Sequence, residues 1–148
     1  MADAADGHAI RLAESVLDRV RALTRAELSG RTMLVIGLGP VGTQTARLAN
    51  AAGMRVVAVN RIGQTDLPYI DEIRTSRFLG DLLPVAHVVV VALPLTEETA
   101  GMIDATAITR MRFDSVVLGV GSAGVIDEPA LLDAQAHGCV AGVVLDLV

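Results

Sequence analysis

Three glycines set out the chemistry open to this chain. Gly37, Gly39 and Gly42 follow the apolar run Thr32-Met33-Leu34-Val35-Ile36 at G-x-G-x-x-G spacing, and residues 41–52 carry the small and apolar spacing of a helix. A strand that runs through a glycine turn into a helix suits the binding of a pyrophosphate. Gly37 permits the tight turn out of the strand. Gly39 brings no Cβ, so a phosphate can approach the backbone, and Gly42 lets the helix lie close on the strand. Pro40 and Val41 open the helix, where free N–H groups and the positive end of the dipole face an anion. The motif alone is weak. Its place at the front of alternating strand and helix patterns favours a dinucleotide site over a glycine turn that binds nothing.

Other reactive residue types are sparse. All 12 basic residues are arginine, which excludes Schiff-base and P-loop lysine chemistry. Cys139 is the single cysteine and lies in an apolar stretch, so there is neither a disulfide framework nor a thiolate metal site. His8 is near a terminus, His87 precedes a strand, and His137 sits where a helix ends and a partly protonated ring suits the dipole. None has an obvious carboxylate partner, and structural or surface roles outweigh catalysis for all three. The pairs Glu97-Glu98 and Asp127-Glu128 are explained by helix N-termini and solvent, and no metal-ligand spacing occurs.

The elements that must position these residues read as follows. Residues 1–7 are expected to be a flexible terminus. Residues 8–28 carry two adjacent apolar stripes at helical spacing: Ile10, Ala13, Leu17 and Val20, then Leu12, Val16 and Leu23. Such a face fits packing on the chain's own sheet about as well as a dimer contact. Strands are expected at 32–36, 55–59, a short stretch near 76–79, 88–92, 115–120 and 139–145. A helical turn is expected at 69–74, a turn or two at 80–85, and a short helix from an Asp104 cap to Arg110. A further helix over 128–136 is capped by Asp127. Six strands with crossovers make a single α/β domain over residues 8–148, a doubly wound parallel sheet of Rossmann type with an N-terminal helix. At 52% hydrophobic residues and a mean hydropathy of +0.53, the chain is rich in apolar side chains. A sheet buried on both faces and a partner surface account for that richness. No apolar run reaches the roughly 18 residues of a membrane span, and no signal peptide opens the chain. A net charge of −5 without a basic cluster argues against nucleic acid. A cytoplasmic location is the default expectation.

Four stretches together resemble the coenzyme domain of the D-isomer-specific 2-hydroxyacid dehydrogenases. They are Glu27-Leu28-Ser29-Gly30-Arg31-Thr32 with the glycine turn; Leu93-Pro94-Leu95-Thr96-Glu97-Glu98-Thr99 with Gly101-Met102-Ile103; the run from Arg110-Met111-Arg112 to Val125-Ile126-Asp127-Glu128; and Ala141-Gly142-Val143-Val144-Leu145-Asp146. The resemblance implies an oxidoreductase fold that binds NAD or NADP. Cofactor contacts are implied at Gly37, Gly39, Pro40, Val41, Gly42, Leu93, Pro94, Thr99, Gly121, Ser122 and Asp146. The residue matching Asp146 meets the nicotinamide carboxamide, and Asn60 and Arg61 stand where the adenosine ribose lies. In the family this domain is inserted within a substrate domain, and this chain is expected to hold the insert and little else.

Three departures qualify that picture. Asn60 stands for the family's usual aspartate. Ser122 stands for the arginine that clamps the substrate carboxylate and carbonyl. The family's acidic residue and acid/base histidine lie beyond the equivalent of Val148. No catalytic residue and no metal site are therefore assigned. The main expectation is a nicotinamide oxidoreductase or the cofactor half of one, not catalytically complete by itself, whose other half lies on a separate substrate-domain chain or was removed. The second is a non-catalytic dinucleotide sensor or scaffold, and a site for another adenosine cofactor such as S-adenosylmethionine is a distant third. An aspartate after the second strand repels a 2′-phosphate, whereas Asn60 does not and Arg61 can pair with it, so NADP is favoured slightly over NAD. Homodimerisation is expected from the two-stripe first helix and the family's habit of pairing through this domain.

Overall fold

Thr32–Ile36 (β1) is buried at every position because it lies in the middle of a sheet covered on both faces. The computed structural model describes residues 4–24 and 27–145. Within them, six parallel strands form one sheet in the order β3-β2-β1-β4-β5-β6. The strands are β1, Arg55–Val59 (β2), Glu72–Arg74 (β3), Val88–Val91 (β4), Val116–Gly119 (β5) and Gly142–Val144 (β6). The helices are Ala4–Thr24 (α1), Pro40–Ala51 (α2), Leu79–Leu82 (α3), Ala105–Thr109 (α4) and Glu128–Ala136 (α5). β1 pairs β2 with Thr32 opposite Arg55 and pairs β4 with Met33 opposite Val88.

Strand alternation sorts the core into two layers. Met33, Val35, Val56, Val88, Val90, Val116 and Leu118 pack with Val16, Leu17 and Val20 of α1 and with Ala46 and Ala49 of α2. Leu34, Ile36, Val57, Val59, Val89, Val91 and Val117 pack on the other side with Leu79, Leu82, Ile108 and Leu131. The unbroken valine run of β4 is buried at every position for that reason. The apolar stripes of α1 are largely spent on this chain's own core: Ala13, Val16, Leu17 and Val20 are buried, whereas Leu23 is exposed.

The chain departs from the expected boundaries in three places. α1 begins at Ala4 rather than at residue 8 and ends at Thr24 rather than at 28. Leu28 leaves the helical path to bury itself in the core, in a turn closed by the Arg31 N–H donating to the Leu28 carbonyl (3.0 Å). The third strand is Glu72–Arg74, not the stretch near 76–79, and no helical turn occupies 69–74. Residues 76–82 coil instead into a 3-10 turn and α3, which lets Leu79 and Leu82 cover the sheet. β6 is limited to Gly142–Val144, because the Cys139 N–H still donates to the Ala134 carbonyl (2.8 Å) and residues 139–141 wrap the end of α5. Caps fall as read: the Asp104 carboxylate accepts from the Ala107 N–H (2.8 Å) and that of Asp127 from Ala130 (3.1 Å).

Candidate functional site

Strand order reverses between β1 and β4. The chain builds outward through β2 and β3 on one side, then through β5 and β6 on the other. The loops leaving the carboxyl ends of β1 and β4 part there, and that opening is where doubly wound sheets receive ligands. Gly37 closes its floor. At φ +104° it holds a conformation that favours glycine, its N–H donates to the Val59 carbonyl (2.9 Å), and a Cβ on it would lie 2.6 Å from the Ala92 carbonyl oxygen. A Cβ on Gly42 would collide with the Gly37 carbonyl oxygen, so Gly42 is what lets α2 start directly on the turn. A Cβ on Gly39 would meet no atom within 4 Å: that position opens on the crevice. Gly39 caps α2 without a side-chain bond, and the first turn carries no acidic residue. The leading N–H groups of α2 and its positive dipole end are left for an outside anion. The geometry suits a pyrophosphate, with Pro40 at the helix start where a missing N–H costs nothing.

Beside the turn lies a cleft of about 350 Å³, whose walls include Val59, Asn60, Arg61, Leu93, Pro94 and Thr99. Asn60 spends its amide on its own loop: Nδ2 donates to the Gln64 carbonyl (2.9 Å) and Oδ1 accepts from the Gly63 N–H (2.7 Å). Arg61 reaches across the cleft to Glu98, with 2.8 Å between guanidinium and carboxylate. The sequence assigns Glu98 only to a helix N-terminus and solvent, and the structure corrects that. The residue lies in a turn rather than at a helix N-terminus, and nothing in the chain links it to a residue 37 positions earlier. Thr99 is buried and ties the loop after β4 together, its hydroxyl donating to the Pro94 carbonyl (2.7 Å) and accepting from the Thr96 N–H (2.8 Å).

The loop after β5 turns on Gly121 at φ +60° and Gly124 at φ +85°. Ser122 between them is only 1% exposed, and its Oγ lies where a Cβ on Gly119 would collide with it. Its carbonyl accepts from the Val125 N–H (2.9 Å). The serine therefore packs into the fold, while Gly121 is exposed. Asp146 lies outside the described residues. Arg112, the last arginine of the chain, precedes β5 at the opposite end of the sheet, paired with Asp114 at 2.7 and 3.0 Å. That hydrogen-bonded pair raises the guanidinium's pKa and lowers the carboxyl's.

The histidines lie away from the crevice. His87, half-buried, accepts the Thr32 N–H on Nδ1 (3.1 Å) at the amino ends of β1 and β4. Burial, then the nearby Arg112 and Arg31, lowers its pKa. His137 caps the end of α5 beside Asp133, and His8 is exposed on α1. Cys139 is exposed rather than within a strand. Among the described residues no cluster of His, Cys, Asp and Glu could hold a metal ion, and no helix is long and apolar enough to cross a membrane.

The sequence profile described as "D-isomer specific 2-hydroxyacid dehydrogenase, NAD binding domain" matches residues 7–148. D-3-phosphoglycerate dehydrogenase of Bacillus subtilis (strain 168) is 34% identical over 128 residues, covering 82% of this chain and 23% of that protein. Glyoxylate reductase of Aeropyrum pernix is 30% identical over 122 residues, covering 82% of this chain and 36% of the relative. The chain thus spans about a quarter to a third of these curated relatives. In fold it is similar to the crystal structure of phosphoglycerate dehydrogenase from Lactobacillus plantarum, with a TM-score of 0.88 at 24% identity over 99% of this chain and 53% of that one.

Proposed function

The chain belongs to the D-isomer-specific 2-hydroxyacid dehydrogenase family as its NAD-binding domain, and from that premise we propose that it binds NADP(H) at least as well as NAD(H) in the crevice between β1 and β4. The observation that carries this reading is the glycine turn: Gly39 opens on the crevice while Gly37 and Gly42 are fixed by contacts that no side chain would allow. The pyrophosphate lies against Gly39, Pro40 and Val41. Asn60, Arg61, Leu93, Pro94 and Thr99 would hold the adenosine half in the cleft they wall, the Gly121–Ser122 loop would stand on the nicotinamide side, and the family resemblance assigns the carboxamide contact to Asp146. The nicotinamide, when bound, supplies or takes up hydride. Asn60 carries no charge to repel a 2′-phosphate, and Arg61 offers one to attract it. Titration with NADH and NADPH, read by nicotinamide fluorescence, is the test. NADPH affinity at or above that of NADH supports the reading, and unchanged NADPH affinity in Arg61→Ala removes it.

The buried Ser122 favours a second statement: these 148 residues bind cofactor without clamping a 2-keto acid. The substrate-facing groups come from outside them, on the same protein or on a partner chain. A domain that serves as a dinucleotide sensor or scaffold fits the same observation, and co-purification of a substrate-domain chain separates the two. We also propose a cytoplasmic homodimer. Exposed Leu23 and half-buried Ile10 and Leu12 on α1 supply apolar surface for it. Light scattering that gives a clean monomer at micromolar concentration rejects it.

A further inference from the structure

The cleft beside the glycine turn is bridged by an ion pair that joins two loops 37 residues apart. Arg61 follows β2 and Glu98 follows β4, and β1 lies between those strands. Each loop is held by its own bonds: the Asn60 amide fastens residues 60–64, and the Thr99 hydroxyl fastens 94–99. The two side chains are the exposed reach of otherwise fixed loops, at 79% and 70% exposure, and they meet at 2.8 Å. Among the described residues no other acidic side chain pairs with Arg61.

We propose that Glu98 tunes the preference between the 2′-phosphorylated and 2′-hydroxyl forms of the dinucleotide, because its carboxylate holds the Arg61 guanidinium that a 2′-phosphate needs. The inference rests on the reading that the adenosine half enters this cleft. A 2′-phosphate must displace the carboxylate from Arg61 and then lies near a like charge. A 2′-hydroxyl needs neither change and leaves the ion pair as a lid over the ribose. Glu98 therefore weakens binding of NADPH and has little effect on NADH. An exposed pair of this kind shifts an equilibrium by up to about fivefold, so Glu98 tunes the preference and does not dictate it. Salt screens such a contact, and the effect of Glu98 shrinks as ionic strength rises.

The test is NADPH and NADH affinity, by nicotinamide fluorescence at low salt, for the unaltered chain, Glu98→Gln, Arg61→Ala and the double variant. Both positions are exposed, so the substitutions leave the core alone; circular dichroism checks this. The expected result is NADPH binding about three- to fivefold tighter in Glu98→Gln, with NADH changed less than twofold and no gain from Glu98→Gln once Arg61 is alanine. If Arg61→Ala weakens NADPH and Glu98→Gln leaves the NADPH-to-NADH ratio unchanged, the inference fails while the cleft reading stands. A parallel loss of both cofactors in Glu98→Gln also overturns it, since Glu98 then only shapes the cleft. If Arg61→Ala leaves NADPH affinity unchanged, the cleft reading fails and takes the inference with it.

Discussion

His87 works as an acceptor for the backbone of a neighbouring strand, and only its neutral form can do so. Nδ1 takes the Thr32 N–H at the start of β1, while the backbone N–H of His87 donates to the Thr32 carbonyl (2.9 Å). Burial and the charges of Arg112 and Arg31 hold its pKa below the ordinary 6.5 of imidazole. The unfolded chain thus binds this proton at a higher pH than the folded one. The contribution to stability is whole above about pH 6.5 and is lost as pH falls through the lowered folded value. The melting temperature is expected to be flat from pH 8 to 7 and to fall below about pH 6.5, with His87→Asn, which keeps an acceptor but no titration, flattening that window. Glu72 and Asp114, whose carboxyls are held low chiefly by Arg55 and Arg112, lose their contribution only at lower pH, below their ordinary values of 4.5 and 3.8. An unaltered slope in His87→Asn contradicts this account. Thr45 presents the opposite situation. Its Oγ1 is buried in α2 with no hydrogen-bond partner. A buried hydroxyl left unsatisfied costs about 1–3 kcal/mol, so Thr45→Val, nearly isosteric, is expected to stabilise the fold by about 1 kcal/mol, seen as a higher urea midpoint. A lower midpoint would falsify the assignment.

At the scale of elements, what was legible in the sequence follows burial. β1, β2 and β4 show as unbroken apolar runs because both faces are covered, and α5 shows through its Asp127 cap and Pro129. β3 does not show. It is a short edge strand of Glu72, Ile73 and Arg74, none fully buried, held by Glu72 bonding Arg55 (2.7 Å) and Arg74 (3.1 Å) and by the Asp71 carboxylate accepting the Val56 N–H (2.8 Å). Its reason for being a strand lies in its neighbour, and no local pattern carries that. The glycine turn was legible as a motif, since each glycine answers to a contact within a few residues or to the adjoining strand end. The Arg61–Glu98 bridge was not, because loop meeting loop is a tertiary fact. The loop after β4 can be tested directly. Thr99→Val removes a donor to Pro94 and an acceptor for Thr96 from a buried position. A stability loss of about 1–3 kcal/mol is expected, together with weaker dinucleotide binding, since Leu93 and Pro94 lose their frame. Retained stability and affinity in urea and fluorescence titrations would show that the loop does not depend on this hydroxyl.

For the whole molecule, the crevice is prepared for a dinucleotide, and we propose that these 148 residues do not by themselves supply the charge that reduction of a 2-keto acid needs. Hydride transfer to a 2-keto acid needs the substrate held against the nicotinamide, positive charge on the developing alkoxide, and a proton donor of suitable pKa. The carboxyl ends of β4 and β5 would face the first two needs. Ser122 there is buried against Gly119, and the sequence holds no arginine or lysine after Arg112, itself committed to Asp114 at the other end of the sheet. Removing a single oxyanion donor costs about 100- to 1,000-fold in rate, and here the cation and its geometry are both missing from the loop. We therefore expect the 148-residue chain to bind NADPH yet to oxidise it no faster than background with pyruvate, glyoxylate or hydroxypyruvate, followed by the loss of nicotinamide absorbance. Ser122→Arg is not expected to restore turnover. The side chain at 122 points into a space already filled, so a guanidinium must either unfold the loop set by Gly121 and Gly124 or swing outward at the expense of the Val125 and Ile126 contacts to the Ser122 carbonyl. A lower melting temperature without activity is the expected outcome for that variant. Saturable turnover by the unaltered chain would mean that backbone N–H groups of residues 121–124, rather than a charged clamp, carry the alkoxide.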